Sequence, residues 1–181
     1  CRRCKAEISV QYPIIEGLNG VLWVFVFLVN GMNVMGVVYC LMTSALLVLS
    51  VIDWRTFEIP FGINVFLGIL GIVAVVLDKG EWLNHVIGAV CVSGFLLLLY
   101  LLSKGRAIGG GDIKLMAACG LLLGWQKSIL AFLLGCILGS VIHLFRMKIS
   151  KEGHVLAMGP YLAAGIFLAA LFGGQWIHWY L

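Results

Sequence analysis

Length, composition and charge together exclude a water-soluble globular fold for most of this chain. Of its 181 residues, 62% are hydrophobic and only 11% are charged, and the mean hydropathy is +1.10. Soluble domains carry about 25% charged residues. Because water cannot accommodate so much apolar surface, we expect a lipid bilayer to be the solvent for much of the chain.

Long uncharged segments, separated by short clusters of charge, predict the elements. A membrane-spanning helix needs about 20 mostly apolar residues. Backbone groups in lipid must be satisfied within the segment, so these segments are helices and not strands. The expected spans are roughly residues 15–30, 33–52, 61–77, 83–102, 113–125, 128–145 and 156–173. The predicted fold class is therefore all-α, a polytopic transmembrane helix bundle of about seven spans. Gly120/Gly124 and Gly135/Gly139 have the small-residue spacing that favours close helix packing in such a bundle.

The basic residues predict the orientation, because they are enriched in cytoplasmic loops. If the spans alternate in direction, one set of loops holds ten of the twelve basic residues, and the other set holds only Lys79 and Lys127. The ten are Arg2, Arg3, Lys5, Arg55, Lys104, Arg106, Lys114, Arg146, Lys148 and Lys151. We therefore expect the N-terminal segment to be cytosolic and the aromatic tail, residues 175–181, to lie outside. The same loops explain the net charge of +4, which does not indicate nucleic-acid binding.

The chain opens with Cys1-Arg2-Arg3-Cys4 and has no initiator Met, so we expect residues upstream of it. A CxxC pair suits tetrahedral zinc, but a structural zinc site needs four ligands. We interpret residues 1–12 as the remnant of a cytosolic cysteine domain of zinc type, in which Cys1 and Cys4 form half of a site. Free thiols or a redox pair are the alternatives. Residues 13–181 form the transmembrane domain.

Asp53 follows the second apolar segment, and Pro60 starts the next helix, where its missing N–H costs little. A lone Asp in this place is often only a helix-end residue. Asp112 follows Gly109-Gly110-Gly111, which permit unusual backbone geometry and close approach of another segment. An N-cap Asp beside a flexible turn is the simpler interpretation of this second acid.

The segment after Asp112 is short, because only 12 uncharged residues separate Lys114 from Lys127. We therefore expect the glycine-rich turn to dip below the membrane surface, where an ionisable residue is a candidate functional group. A phosphate-binding loop is disfavoured, since the GxxxxGK[ST] pattern is absent.

Asp53 and Asp112 are 59 positions apart, yet the predicted topology places both at the cytosolic face. Two neighbouring carboxyl groups cannot both ionise comfortably, so they share a proton. Such a pair can activate water and protonate a peptide leaving group, which predicts aspartyl proteolysis without a metal or cofactor. Which Asp acts as the base is left open, because the titration belongs to the pair.

These residues carry a family resemblance. The stretch from Gly109 to Ala118 resembles the GxGDxKLxAA motif of the bacterial type IV prepilin peptidases, a GxGD-type aspartyl protease family. The segment from Asp53 to Pro60 is similar to the family's first catalytic segment. Cys1-x-x-Cys4 followed by Tyr12-Pro13-Ile14-Ile15-Glu16, and Gly159-Pro160-Tyr161-Leu162-Ala163, resemble two further family elements. The four matches occur in family order.

The resemblance implies a multi-pass protease of the bacterial inner membrane that cleaves the leader peptide of type IV prepilins or type II secretion pseudopilins. It implies that Asp53 and Asp112 are catalytic and that Gly109, Gly110, Gly111 and Lys114 support the active-site loop. It also implies S-adenosylmethionine as the donor if the new N-terminus is methylated, and zinc in the full-length protein. The family's first span and first CxxC pair would lie upstream of Cys1, so the chain lacks the N-terminal part.

Two alternatives remain at this point. One is a presenilin-like or archaellin-type GxGD protease with another substrate; the CxxC pair and the Tyr-Pro-x-x-Glu segment favour the bacterial group instead. The other is a non-enzymatic ion- or proton-coupled transporter. The lack of internal repeats and the placement of both acids at one membrane face count against transport.

Overall fold

The computed structural model describes residues 10–105, 108–149 and 157–180. Within these ranges the chain forms seven α-helices and no β-strand. The helices are α1 (Gln11–Asn30), α2 (Val34–Thr56), α3 (Phe61–Leu77), α4 (Trp82–Leu102), α5 (Gly110–Leu123), α6 (Trp125–Ile149) and α7 (Gly159–Tyr180). The predicted all-α fold class is confirmed, and each helix overlaps one of the seven predicted segments.

Five of the helices, α1, α2, α4, α6 and α7, are long and apolar enough to cross a membrane. Helix α3 is apolar but has 17 residues. Helix α5 has 14 residues, which corresponds to about 21 Å at 1.5 Å per residue, less than the roughly 30 Å hydrocarbon core of a bilayer. The chain is thus a polytopic membrane helix bundle in which α5 is the shortest element.

Helix α5 occupies the interior of the bundle, where it packs mainly against α3 and α4. Half of its residues are buried: Leu115, Met116, Ala118, Cys119, Gly120, Leu122 and Leu123. Helix α1 lies at the periphery, where Val26 is its one buried residue. The first turn of α5, which carries Asp112, therefore starts from the middle of one end of the bundle.

Glycines let the helix backbones approach closely at two contacts. A Cβ at Gly120 of α5 would lie 2.2 Å from the carbonyl oxygen of Gly88 in α4, and a Cβ at Gly165 of α7 would lie 2.3 Å from the carbonyl oxygen of Ala131 in α6. Gly135 packs against Leu162 in the same α6–α7 contact. The small-residue spacing in the sequence thus serves packing within the bundle.

Helix α7 is longer than the sequence predicted. The expected span ended at residue 173, the first glycine of the Gly173-Gly174 pair, but the helix continues to Tyr180. Gly173 packs against the side chain of Lys127 in α6, and tertiary packing of this kind routinely overrides the low helix propensity of glycine. As a result, Trp176 and Trp179 lie on the last turns of α7 rather than in an irregular tail.

Candidate active site

Asp53 lies in the last turn of α2 and is buried, with 4% of its surface exposed. Its Oδ2 accepts a hydrogen bond of 2.9 Å from the backbone N–H of Gly159. Gly159 is the first residue of α7, and the N–H groups of a first helical turn have no partner within their own helix. The Asp53 carboxyl group, at the end of α2, therefore accepts a hydrogen bond from an otherwise unpaired N–H in the first turn of α7.

The chain turns sharply after Asp53. The backbone N–H of Phe57 bonds to the carbonyl oxygen of Asp53 at 2.9 Å, and Phe57 ends α2 in the left-handed conformation with φ of 55°. Pro60 then precedes the first residue of α3 in an extended conformation. This short connection places Glu58 and Ile59 beside the last turn of α2.

Asp112 lies in the first turn of α5, as the sequence predicted, and is half-buried. Its backbone N–H bonds to the carbonyl oxygen of Gly109 at 3.2 Å. The backbone of Gly109 also hydrogen-bonds to the Asp112 carboxyl group, and that group is close enough to Asp53 for their charges to interact. The positive end of the α5 dipole faces the same carboxyl group.

Both aspartates border one pocket of about 410 Å³ at the end of the bundle. Its lining comes from the end of α2, the start of α5 and the residues before α7: Asp53, Phe57, Glu58, Ile59, Gly109, Gly110, Gly111, Asp112, Ala157 and Met158. Three of these side chains are carboxylic acids. The structure therefore brings together the two acids that the sequence placed at one membrane face.

The three glycines differ in what the fold requires of them. A Cβ at Gly111 would lie 2.9 Å from Cβ of Ile59, closer than side-chain atoms pack, whereas a Cβ at Gly110 would meet nothing within 4 Å. Gly109 has φ of −72°, and none of the three has a positive φ. Close approach at Gly111 is thus the physical reason for glycine here, and the unusual backbone geometry that the sequence suggested is absent from residues 109–111.

Lys114 lies two residues after Asp112 and is not part of the pocket lining. Its side chain is exposed, and its Nζ sits 5.3 Å from the ring centroid of Phe61, the first residue of α3. Such a cation–π contact links the starts of α3 and α5. The role of Lys114 in supporting the active-site loop therefore stays a prediction. The contact with Phe61 in α3 is the structural feature that would support it.

Sequence reasoning missed one partner of the aspartates. Gly159 appeared only as part of a motif, without a role, yet it is the hydrogen-bond donor to Asp53. A Cβ at this position would lie 2.6 Å from Oδ2 of Asp53, so only glycine fits. The signal that could have found it was the Gly159-Pro160 dipeptide, a typical helix start just before an apolar segment.

Metal binding by this chain stays a prediction. The described residues contain no group of three or more His, Cys, Asp or Glu side chains that could hold a metal ion. Cys1 and Cys4 lie outside the described residues. The zinc half-site and the boundary at residue 12 therefore stay predictions.

Comparison with protein families gives two matches. The type IV leader peptidase family matches residues 40–144, more than half of the chain, and this range contains both aspartates. The bacterial peptidase A24 N-terminal domain matches residues 1–30. No solved structure matches the chain.

Several curated proteins named prepilin leader peptidase/N-methyltransferase are similar to the chain over nearly its whole length. The protein of Aeromonas salmonicida is 33% identical over 190 residues, which cover 100% of this chain and 65% of the relative. The Pseudomonas putida protein is 35% identical, covering 97% and 63%, and the Pseudomonas aeruginosa protein is 30% identical, covering 100% and 65%. The chain thus spans about two thirds of the length of these relatives. With the family model matching the segment that builds the aspartate pocket, the chain belongs to the type IV leader peptidase family.

Proposed function

We propose that this chain is a membrane aspartic endopeptidase in which Asp53 and Asp112 form the catalytic pair. One observation carries the proposal: two acids 59 positions apart in sequence border a single pocket. Burial of Asp53 and partial burial of Asp112 reduce the water that could screen the two charges. Such a pair favours a single shared proton over two ionised groups.

The shared proton defines the chemistry. The ionised carboxylate takes a proton from a water molecule while the water oxygen attacks the peptide carbonyl carbon. The protonated carboxyl group donates its proton to the carbonyl oxygen, and the amine leaves with a proton from the pair. The Gly159 N–H, at 2.9 Å from Oδ2 of Asp53, keeps one carboxyl group in place through these steps. The pair as a whole titrates, so we assign the base to neither residue alone.

The substrate class follows from the relatives. Proteins covering the whole chain at 30–35% identity are named prepilin leader peptidases, and we propose the leader peptide of a type IV prepilin or type II secretion pseudopilin as the substrate here. The family match disfavours the presenilin-like or archaellin-type protease and the ion- or proton-coupled transporter. The surrounding lipid bilayer is the second partner.

The relatives' names include an N-methyltransferase activity, for which S-adenosylmethionine is the methyl donor. We derive no methyl-transfer step from the residues of the aspartate pocket. Methylation by this chain stays a prediction. It is measured by the transfer of a labelled methyl group from S-adenosylmethionine to the cleaved product.

The direct test is cleavage of a prepilin by the purified chain and its Asp53→Asn and Asp112→Asn variants. Each substitution removes one member of the pair without changing its size, so we expect cleavage to fall by at least about 1,000-fold, the scale on which essential acid–base groups act. Glu16→Gln is the matched control, because it removes one negative charge from an exposed position on α1. Normal cleavage by either Asn variant with an unchanged unfolding temperature would contradict the proposal.

Two further assays separate the alternatives. A panel of leader peptides distinguishes a prepilin peptidase, which cleaves prepilin leaders, from a GxGD protease with another substrate. Reconstitution into liposomes tests transport, because a transporter would move protons or cations across the vesicle membrane in the absence of any peptide. We expect cleavage of prepilin leaders and no such flux.

We place the pocket at the cytosolic face of the bacterial inner membrane. Arg55 in the last turn of α2, Lys104 just after α4 and Lys114 near the start of α5 lie at the same end of the bundle as the two aspartates, in keeping with the enrichment of basic residues on the cytoplasmic side. A Glu58→Cys variant tests the orientation. Its thiol should escape a membrane-impermeant reagent in intact spheroplasts and react after lysis, with the unsubstituted chain as background; labelling before lysis would reverse the assignment.

A further inference from the structure

At the end of the bundle opposite the aspartates, α6 and α7 border a groove of about 620 Å³. Its walls are aromatic and aliphatic, with Trp125, Ile129 and Leu133 on α6 and Trp176, Ile177 and Trp179 on α7. We call it the α6–α7 groove. Its volume falls within the roughly 300–1,000 Å³ of small-molecule sites.

A cavity of about 490 Å³ lies beside this groove, and we call it the polar cavity because it contains the Lys127 and His178 side chains, although most of its lining is apolar. It is lined by Lys127 and His178 together with Gln126, Gly174 and Ile177. Gln126 and Ile177 line both spaces, so the groove and the cavity are direct neighbours. Together the two spaces form an amphipathic site, in which the apolar α6–α7 groove lies beside the basic side chains of the polar cavity.

The positive charge of Lys127 is poorly compensated by its surroundings. It is half-buried, and its side-chain stem lies across Gly173, where an added Cβ would come within 3.1 Å of Cγ of Lys127. Among the residues of known placement, no carboxylate forms a salt bridge with it. It also sits in the first turn of α6, where the positive end of the helix dipole disfavours a cation.

We propose that the α6–α7 groove and its polar cavity bind an anionic phospholipid of the surrounding membrane. The phosphate lies against Lys127 and His178, and one acyl chain runs along the tryptophan-lined groove. Charge complementarity carries the choice of an anionic head, because burial and the helix dipole both leave the Lys127 ammonium poorly compensated. Tryptophans are enriched where membrane and water meet, which is where a lipid headgroup ends and its acyl chains begin.

A membrane lipid fits this site better than a partner helix. An apolar helix could cover Trp176 and Ile177, but it would bring no anion to Lys127. Both α6 and α7 are long enough to cross the membrane, so their outer faces are in contact with lipid. The surrounding bilayer therefore supplies the proposed ligand directly to this site.

Native mass spectrometry of the delipidated full chain tests the proposal. The probes are phosphatidylglycerol and phosphatidylcholine with identical acyl chains, together with glycerol phosphate, which has the anion but no chains. We expect phosphatidylglycerol to bind at least tenfold more tightly than phosphatidylcholine and glycerol phosphate not to bind. Lys127→Gln should reduce the affinity for phosphatidylglycerol to that for phosphatidylcholine, and Lys127→Arg should retain the preference.

Lys79→Gln is the matched control, because it removes one positive charge from an exposed lysine in the α3–α4 turn. That turn lies at the same end of the bundle, where Asn84 accepts a hydrogen bond from the backbone N–H of Trp125. The control variant should bind phosphatidylglycerol as the unsubstituted chain does. Equal binding of the two lipids, an unchanged affinity in Lys127→Gln, or a dimer that excludes lipid would each overturn the proposal. The readout is bound lipid mass, so it is independent of the proposed peptidase activity.

Discussion

The backbone N–H of Gly159 donates a 2.9 Å hydrogen bond to Oδ2 of Asp53, joining residues 106 positions apart in the chain. The bond forms away from water, since Asp53 is buried, and hydrogen bonds to a charged carboxylate are about twice as strong as neutral ones. It ties the end of α2 to the start of α7. The carboxyl group beside Asp112 is thus positioned by a helix that itself contributes no acid to the pocket.

Gly159→Ala should inactivate the enzyme. An added Cβ would lie 2.6 Å from Oδ2 of Asp53, so Asp53 or the start of α7 must move. Displacements of about 1 Å at a reacting group can cost roughly 100-fold in rate, and we expect a loss of cleavage on that scale. The measurement is the single-turnover rate on a prepilin substrate.

The control for this prediction is Gly174→Ala in the same helix, where a Cβ would meet nothing within 4 Å. It should cleave at the rate of the unsubstituted chain. Full activity of Gly159→Ala would show that the contact with Asp53 does not position the carboxyl group.

Alanine substitutions at Gly110 and Gly111, at the start of α5, should reduce cleavage to different extents. Gly111→Ala places a Cβ 2.9 Å from Cβ of Ile59, which pushes the first turn of α5 away from the loop after α2. We expect roughly a tenfold or greater loss of cleavage, since Asp112 moves with that turn. Gly110→Ala meets no protein atom within 4 Å, so it leaves the α5 turn in place and should cost clearly less, even though its Cβ enters the pocket. Equal effects of the two substitutions would contradict the close-approach explanation.

The pH dependence of cleavage should have two limbs. At low pH both carboxyl groups of the Asp53–Asp112 pair are protonated, so no base is available to activate water. At high pH both are ionised, and no acid is available for the leaving amine. The rate of a single turnover should therefore rise and then fall across the acidic to neutral range. A flat profile would be incompatible with a shared proton.

The contact between α4 and α5 should depend on its glycines. A Cβ at Gly88 would lie 2.4 Å from the carbonyl oxygen of Gly120, and neither backbone can move without disturbing α5. Overpacking of this kind typically costs about 1–3 kcal/mol, so Gly88→Ala should lower the unfolding temperature in detergent. Gly94→Ala, in the same helix but with an added Cβ 3.7 Å from its nearest neighbour, Cγ1 of Val90, should not. Stabilisation by Gly88→Ala would show that α4 and α5 are separated in solution.

Several features could be predicted from sequence because they depend on local composition. The seven helices follow from the lengths of uncharged segments, since a backbone in lipid must satisfy its own hydrogen bonds. Asp53 and Asp112 stood out because acids are costly beside a membrane, and counting the spans between them placed both at one end. The predicted end of the last span, at residue 173, falls short of the helix end at Tyr180, because tertiary packing carries α7 through the Gly173-Gly174 pair.

Amino-acid order alone thus determined the class of fold, the number of helices and the two candidate acids, all of which follow from apolar length and the rarity of charge. Only the tertiary structure decided three contacts. The Gly159 N–H donates a hydrogen bond to Asp53, Ile59 packs closely against Gly111, and Lys127 lies beside the apolar α6–α7 groove. The first contact joins α2 to α7, the second joins α5 to the loop after α2, and the third lies between α6 and α7. Their distances are set by how the helices tilt and approach one another, which the spacing of residues along the chain does not encode.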